Sequence, residues 1–259
     1  MTYLSRIRIN PLRAASRKLL ANPRAMHGAV AGGITGTPDS ERVLWRLDTD
    51  NPHRPHLYIL TRSKPDWTHI VEQAGWPGAE GEHAAIRDYT PLLAQIATGR
   101  EFAFRLTANP VQNTATPDKA TPTQAARLEA ARLEGRQTRG LRIGHRTANA
   151  QLHWLLQRTE RWGFTIPPSR VDPPAPGLAP TNETADADPP REVRITARQR
   201  HSFAKGGNGR VVLHTATFEG HLRITDPDAF TERLLNGIGP AKSYGCGLLT
   251  LAPLTNRST

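Results

Sequence analysis

Asn22-Pro23-Arg24-Ala25-Met26-His27 places an imidazole just past the first turn of a helix that the sequence is well equipped to start. Asn22 can cap that helix with its side chain, and Pro23 suits the first helical position, where the N–H it lacks would have no partner. With an unperturbed pKa of about 6.5, a histidine can give or take a proton near neutrality. Arg24 lies three residues earlier and therefore on the same face. Its guanidinium is always charged and cannot act as a base, but it can hold two oxygens of a phosphate. The neighbours of His27 are small, and glycines follow at Gly32, Gly33 and Gly36, which leaves the ring room to be exposed. A surface histidine without a role and a solvated arginine are the alternatives that these residues alone leave open.

A second constellation is Gly237-Ile238-Gly239-Pro240-Ala241-Lys242-Ser243-Tyr244-Gly245-Cys246-Gly247-Leu248-Leu249, which runs from a helix into an apolar strand. Glycine tolerates positive φ and lets a backbone come close to another group, so Gly237, Gly239, Gly245 and Gly247 together with Lys242 and Ser243 suit contact with a phosphodiester. A tight helix-to-strand connection, in which the glycines solve a packing problem, is the competing reading. Cys246 reads as a small packed residue. A third constellation is Arg198-Gln199-Arg200-His201-Ser202-Phe203-Ala204-Lys205-Gly206-Gly207-Asn208-Gly209-Arg210, which sets Arg198, Arg200, Lys205 and Arg210 around a glycine-rich turn between two strands. Arg132, Arg136, Arg139 and Arg142 recur every three or four residues as a helical basic stripe, with Glu129 and Glu134 available for ordinary salt bridges.

These residues need a scaffold, and the composition bounds it. The 259 residues suffice for two modest cores. Thirty-four Lys and Arg against 23 Asp and Glu give a net charge of +11, which points to a polyanionic partner, nucleic acid above all. The charge is uneven: residues 1–95 have 12 basic and 9 acidic side chains, whereas 96–259 have 22 and 14. The second half is expected to hold the polyanion. No stretch approaches the roughly 20 apolar residues of a membrane span, and no signal-peptide core precedes the first strand, so a cytoplasmic protein without membrane contact is expected. One Cys and ten scattered His form no metal-ligand spacing, so neither metal nor cofactor is expected. His53 and His56 read as solvated loop residues.

Hydrophobic patterning gives strand 3–9, helix 12–20, a helix from Pro23, strands 43–47 and 56–61, helix 67–74 and strand 85–89. The second half repeats that order with strand 101–106, helix 148–162, strands 192–200 and 211–224, helix 227–235 and strand 248–252. Leu152, Leu155, Leu156 and Trp162 mark the buried face of the long helix. The reading is an α+β chain of two tandem ferredoxin-like βαββαβ domains, 1–95 and 96–259, with flexible insertions at 108–147 and 168–190. Residues 172–190 contain six Pro, four acidic residues and no Lys or Arg, a composition that cannot bury enough apolar surface to order itself.

The opening strand, Asn10-Pro11, a basic helix and Asn22-Pro23-x-x-Met26-His27 resemble the start of the CasE family, the CRISPR repeat-processing endoribonuclease subunit of type I-E Cascade. Phe104-Arg105-Leu106-x-x-Asn109-Pro110-Val111, Glu160-Arg161-Trp162-Gly163-Phe164, Phe218-Glu219-Gly220-His221-Leu222 with Asp226-Pro227, and the 237–249 loop resemble later segments of that family in the same order. The resemblance implies tandem ferredoxin-like domains that bind the stem-loop of a CRISPR repeat RNA, cut at its 3′ base without metal and keep the crRNA hairpin beside other Cascade subunits. The implied reaction is attack by a ribose 2′-hydroxyl, leaving a 2′,3′-cyclic phosphate, with the catalytic histidine falling on His27. Some members carry tyrosine where this chain has Arg24, which is then assigned to charge stabilisation. Arg198, Arg200, Lys205, Arg210, Arg139, Arg142, Lys242 and Ser243 are the expected RNA contacts. A slim basic ribbon can follow the phosphates of an A-form groove that a broad surface cannot enter. The departure at Arg24 keeps alive a non-catalytic RNA-binding or scaffold subunit of the same complex. An unrelated basic nucleic-acid-binding protein is the third reading.

Overall fold

The computed structural model describes residues 1–36, 41–79, 81–114, 122–134, 141–169, 190–206 and 209–254. The chain opens with β1 (Tyr3–Arg8), α1 (Ala14–Ala21), α2 (Pro23–Ala31), β2 (Leu44–Asp48), β3 (His56–Thr61), α3 (Thr68–Ala74) and β4 (Ala84–Asp88). These four strands form one antiparallel sheet in the order β2-β3-β1-β4. Ile7, Met26, Val30, Trp45, Leu57, Ile59, Trp67 and Ile70 fill the core between sheet and helices. His56 begins β3 and is half-buried, so it is a strand residue and not the loop residue that Pro52 had suggested. A single turn, α4 (Thr90–Leu93), leads on to the second half.

That half comprises β5 (Glu101–Ala108), β6 (Val111–Thr114), α5 (Pro122–Leu133), β7 (Leu141–Gly144), α6 (Ala148–Leu156), β8 (Phe164–Thr165), β9 (Val193–Gly206), β10 (Gly209–Ile224), α7 (Pro227–Asn236) and β11 (Leu249–Ala252). Alternation along β5 buries Phe102, Phe104, Leu106 and Ala108 on one face, as a half-buried strand requires. The sheet order is β11-β5-β10, with the far edge of β10 shared by two strands. Thr165 of β8 pairs with Arg223, and Val193 of β9 pairs with Gly220. One edge position is thus filled by a strand that the chain interrupts after residue 165 and resumes at 193. Both sheets have the order of a ferredoxin-like unit, fourth-first-third-second.

Two sequence expectations need correction. The long helix ends at Leu156 and is followed by a 3-10 turn, Glu160–Trp162, which Gly163 closes with φ 79°. Trp154 is buried alongside Leu155 and Trp162, whereas Leu152 and Leu156 are only half-buried. The insertion at 108–147, expected to be flexible, has paired structure: β6 and β7 ladder from Val111↔Gly144 to Thr114↔Leu141, with α5 between them in sequence. The hairpin is anchored because the indole of Trp154 donates to the Val111 carbonyl at 3.1 Å and Leu141 is buried. Most of the expected loop at 168–190 lies outside the described residues; at its margins Ser169 N–H donates to the Pro190 carbonyl at 2.6 Å. No helix among the described residues is long and apolar enough to cross a membrane.

The two halves are joined by buried chemistry. Leu44 and Leu60 of the first sheet belong to the second core. Arg46, 2% exposed, donates to both carboxylate oxygens of Asp48 at 2.7 and 2.9 Å, to the carbonyls of Arg105 and Leu248 at 2.9 and 3.1 Å, and to Thr250 Oγ1 at 2.9 Å. A buried cation this fully bonded is costly to strip of its partners, which fixes β2 against β5 and β11.

Candidate active site and RNA interface

The start of α2 is built as its sequence suggests. Asn22 Oδ1 accepts from the Arg24 N–H at 3.0 Å, and Pro23 occupies the first turn. Met26 and Val30 point into the first core, so the residue after Met26 falls at the rim of that buried stripe. His27 is therefore half-buried, with Nδ1 sealed from solvent and without a hydrogen-bond partner. Burial lowers its pKa below the usual imidazole value. Burial thus favours the neutral ring, and no hydrogen-bond partner of Nδ1 lies among the described residues. Arg24 stands exposed one turn earlier.

What faces α2 is the glycine loop. Its 3-10 turn, Lys242–Tyr244, packs against both α2 and β2. The turn is bracketed by two left-handed residues, Ala241 with φ 66° and Gly245 with φ 80°. A Cβ on Gly245 would come within 2.7 Å of the Trp45 ring, and one on Gly237, φ 78°, within 2.6 Å of Leu44 Cδ2. Gly239 and Gly247 also have positive φ. Packing onto β2 thus accounts for the identity of Gly237 and Gly245. The consequence for the site is positional: Lys242, Ser243 and His27 are brought onto adjoining elements. Lys242 is half-buried, and burial together with Arg42 and Arg233 lowers the pKa of its ammonium; Ser243 is exposed. Cys246 is buried and its thiol pKa is pushed up to about 12, so it is a packing residue with no thiolate to offer.

The β9–β10 ribbon has two unlike faces. Its register pairs Arg198 with Ala216, Arg200 with His214 and Ser202 with Val212 on one face. On the other, Gln199, His201 and Phe203 pair with Thr215, Leu213 and Val211. The cationic face is not uniformly free. Arg198 donates from Nε to Gln151 Oε1 at 2.8 Å and from a terminal nitrogen to the Arg146 carbonyl, which ties the ribbon to α6. Arg210 donates to Ser202 Oγ at 2.6 Å. Arg200 is exposed, and with Arg146 it adds to the burial that lowers the pKa of His214. Gly144 of β7 approaches the same His214, whose Cδ2 would lie 3.2 Å from a Cβ there. The exposed Arg142 is two residues away on that strand. Arg142, Arg146, Arg198 and Arg200 therefore converge where the insertion meets the ribbon.

Arg142 lies on β7 and Arg132 on α5, so the basic stripe is not one helical face. Arg136 and Arg139 lie outside the described residues, as does the side chain of Lys205. Sequence reasoning missed the cluster between the halves. Arg105 meets Asp48 at 3.5 Å, Asp50 at 2.5 Å and Glu219 at 2.7 Å, and the Arg105 hydrogen bond lowers the Asp50 pKa. Nothing in the local pattern announces contacts across 55 or 114 positions. Among the described residues, no group of three His, Cys, Asp or Glu side chains could hold a metal ion.

Residues 2–253 match the model of a family described as CRISPR associated protein. The chain is 26% identical over 254 residues to the CRISPR-associated endoribonuclease Cse3 of Thermus thermophilus, covering 97% of this chain and 100% of that protein. It is also 26% identical over 214 residues to the CRISPR system Cascade subunit CasE of Escherichia coli, covering 82% and 89%. Among solved structures, Thermus thermophilus Cse3 bound to an RNA representing a pre-cleavage complex superposes with a TM-score of 0.66 at 24% identity, covering 97% of this chain and 99% of that one. The Escherichia coli K-12 protein Cas6e gives 0.51 at 22% identity, covering 97% and 100%. Those structural likenesses carry the tandem ferredoxin-like fold.

Proposed function

The chain belongs to the CRISPR-associated protein family, and on that premise we propose that it is a CasE-type endoribonuclease that matures CRISPR RNA. It cuts at the 3′ base of the repeat stem-loop, without metal, and retains the hairpin as a Cascade subunit in the cytoplasm. The observation that carries this reading is the full-length relationship to a named CRISPR-associated endoribonuclease, combined with a neutral, half-buried His27 on a helix packed against Lys242–Tyr244.

The nucleophile belongs to the substrate. A ribose 2′-hydroxyl gives up its proton and attacks the adjacent phosphorus, the P–O5′ bond breaks, and the leaving 5′-oxygen takes a proton from solvent, so that a 2′,3′-cyclic phosphate and a free 5′-hydroxyl result. The protein must align the groups in line, move protons and stabilise the charge that develops on the phosphoryl oxygens. Because burial keeps His27 neutral, its resting form is the base, suited to take the proton of the 2′-hydroxyl. Arg24, exposed on α2, and Lys242, on the turn packed against that helix, are the cations we assign to the phosphoryl oxygens. Arg142, Arg146 and Arg200, converging at the ribbon, hold the stem phosphates. Incubation of labelled repeat RNA with the protein in excess EDTA should give a single cut with a cyclic phosphate end. Activity that vanished in EDTA and returned with magnesium would overturn the mechanism, and tight hairpin binding without any cut would favour a scaffold subunit.

A further inference from the structure

Between the start of α2 and the inner face of the ribbon lies a slot of about 220 Å³. One wall is apolar, made by Leu19 and Leu20 of α1 and by Met26 of α2. Gln199 and His201 from β9 and Tyr244 of the 3-10 turn also line it. Tyr244 is held edge-on to the buried Phe203, with ring centroids 4.9 Å apart. Arg105 and Asp50 also line the slot, but each is engaged with the other at 2.5 Å, and Arg105 also with Glu219 at 2.7 Å. The slot therefore offers no free charge to an anion.

Its complement is an object that is apolar on its faces, polar along its edge and uncharged. His201 is half-buried and burial lowers its pKa, so its ring is neutral and presents one donor and one acceptor; the Gln199 amide presents both as well. A nucleobase has those properties, and splayed bases read along their edges and stacked on aromatic rings are how single-stranded RNA is recognised in sequence. Position adds the rest. Met26 lines the slot and His27 is the next residue, so slot and proton-transfer ring share one turn of α2. We propose that this slot receives the base of the first unpaired nucleotide 3′ of the scissile phosphate, with Gln199 and His201 reading its edge and Tyr244 stacking on it. The inference rests on the endoribonuclease reading above. Because the cut lies at the base of the stem, that nucleotide has no partner to give up, and turning it inward costs little. Seating it would set the backbone angle at the phosphate beside His27.

The test uses repeat RNA whose attacking nucleotide is 2′-deoxy, which cannot be cut, with 2-aminopurine at the first 3′ nucleotide. Binding to the full chain should change the 2-aminopurine fluorescence, and the double variant Gln199→Ala/His201→Ala should show a smaller change while still binding the hairpin. In cleavable RNA, an abasic site at that nucleotide should slow the wild type about tenfold or more, the scale of one base stacked on an aromatic ring. The double variant, which keeps Tyr244, should show a smaller abasic penalty than the wild type. No fluorescence change together with equal wild-type rates on intact and abasic RNA overturns the slot. An abasic penalty of wild-type size in the double variant overturns the assignment to these residues. Failure of the protein to bind the hairpin at all overturns instead the reading beneath it, a separate result.

Discussion

His27 and Arg200 sit on opposite sides of one problem. His27 is half-buried, neutral and lodged between elements whose spacing is set by the junction of the two sheets, whereas Arg200 stands exposed on a ribbon among like charges. Proton transfer fails when groups move by a fraction of an ångström, so the first region needs rigidity and is given glycines, a buried arginine and close packing. Attraction to phosphates acts over roughly 8–10 Å at ordinary ionic strength and tolerates movement, so the second needs only charge in the right area. Rate and affinity should therefore separate by mutation. The sharpest attempt to break that division is His27→Ala. General acid–base transfer commonly contributes about 10²–10⁴-fold, and the variant should lose that much rate while binding the hairpin as before. Single-turnover cleavage and filter binding on one labelled RNA measure both. Equal rates would remove His27 from the chemistry, and a parallel loss of affinity would merge the two regions.

The pH profile of kcat/KM refines the same prediction, since it reports groups of the free protein. As pH rises through the lowered pKa of His27 the ring loses its proton, so a base role predicts a rate that climbs from the acid side with its midpoint below the ordinary imidazole value of about 6.5. A rate that instead fell as pH rose through that window would assign His27 to protonating the leaving 5′-oxygen.

The next effect concerns what holds the site together. Arg46→Ala leaves Asp48 and two buried carbonyls without their donor, a loss of about 3–5 kcal/mol for breaking a buried pair. Urea denaturation should show a lower midpoint with an unchanged slope. At temperatures where the variant remains folded, cleavage should fall more than hairpin binding, because the junction positions the glycine loop against α2. An unchanged midpoint would mean that apolar packing of Leu44 and Leu60 alone holds the sheets.

How far the sequence alone could reach differs between the same two regions. The cap at Asn22, the apolar positions of α2 and the alternation of β5 are local signals, and they led to the right elements in the right order. Two strand residues at Phe164–Thr165 are too few for any periodicity to stand out, so the interrupted edge of the second sheet was missed. The glycine loop was open between contact with a phosphodiester and a tight packing connection, and its glycines at 237 and 245 answer to Leu44 and Trp45, roughly two hundred positions earlier in the chain. Arg46 reads as one more surface cation until its partners at 248 and 250 are known. Charge was visible as composition, whereas which charges are already engaged depends on tertiary contacts.

Arg198 and Arg200 bring that last distinction to a measurement. The two arginines are equivalent by sequence, two apart on one strand face, yet Arg198 is hydrogen-bonded to Gln151 and to the Arg146 carbonyl, while Arg200 stands exposed opposite His214. Arg200→Ala removes a cation proposed to meet a phosphate, and it should flatten the log–log salt dependence of hairpin binding by about one unit. On the proposed reading that the stem stays bound after the cut, product should also leave that variant faster, which multiple-turnover kinetics would register. Arg198→Ala should change the salt slope little and instead lower thermal stability by about 1 kcal/mol, the net worth of an ordinary hydrogen bond. Equal slope changes in the two variants would show that Arg198 leaves Gln151 for the RNA, and that the tie to α6 is a resting arrangement exchanged on binding. An unchanged slope in both would move the phosphate contacts off the ribbon and onto Arg142 and Arg146, the basic side chains of the insertion that abuts it.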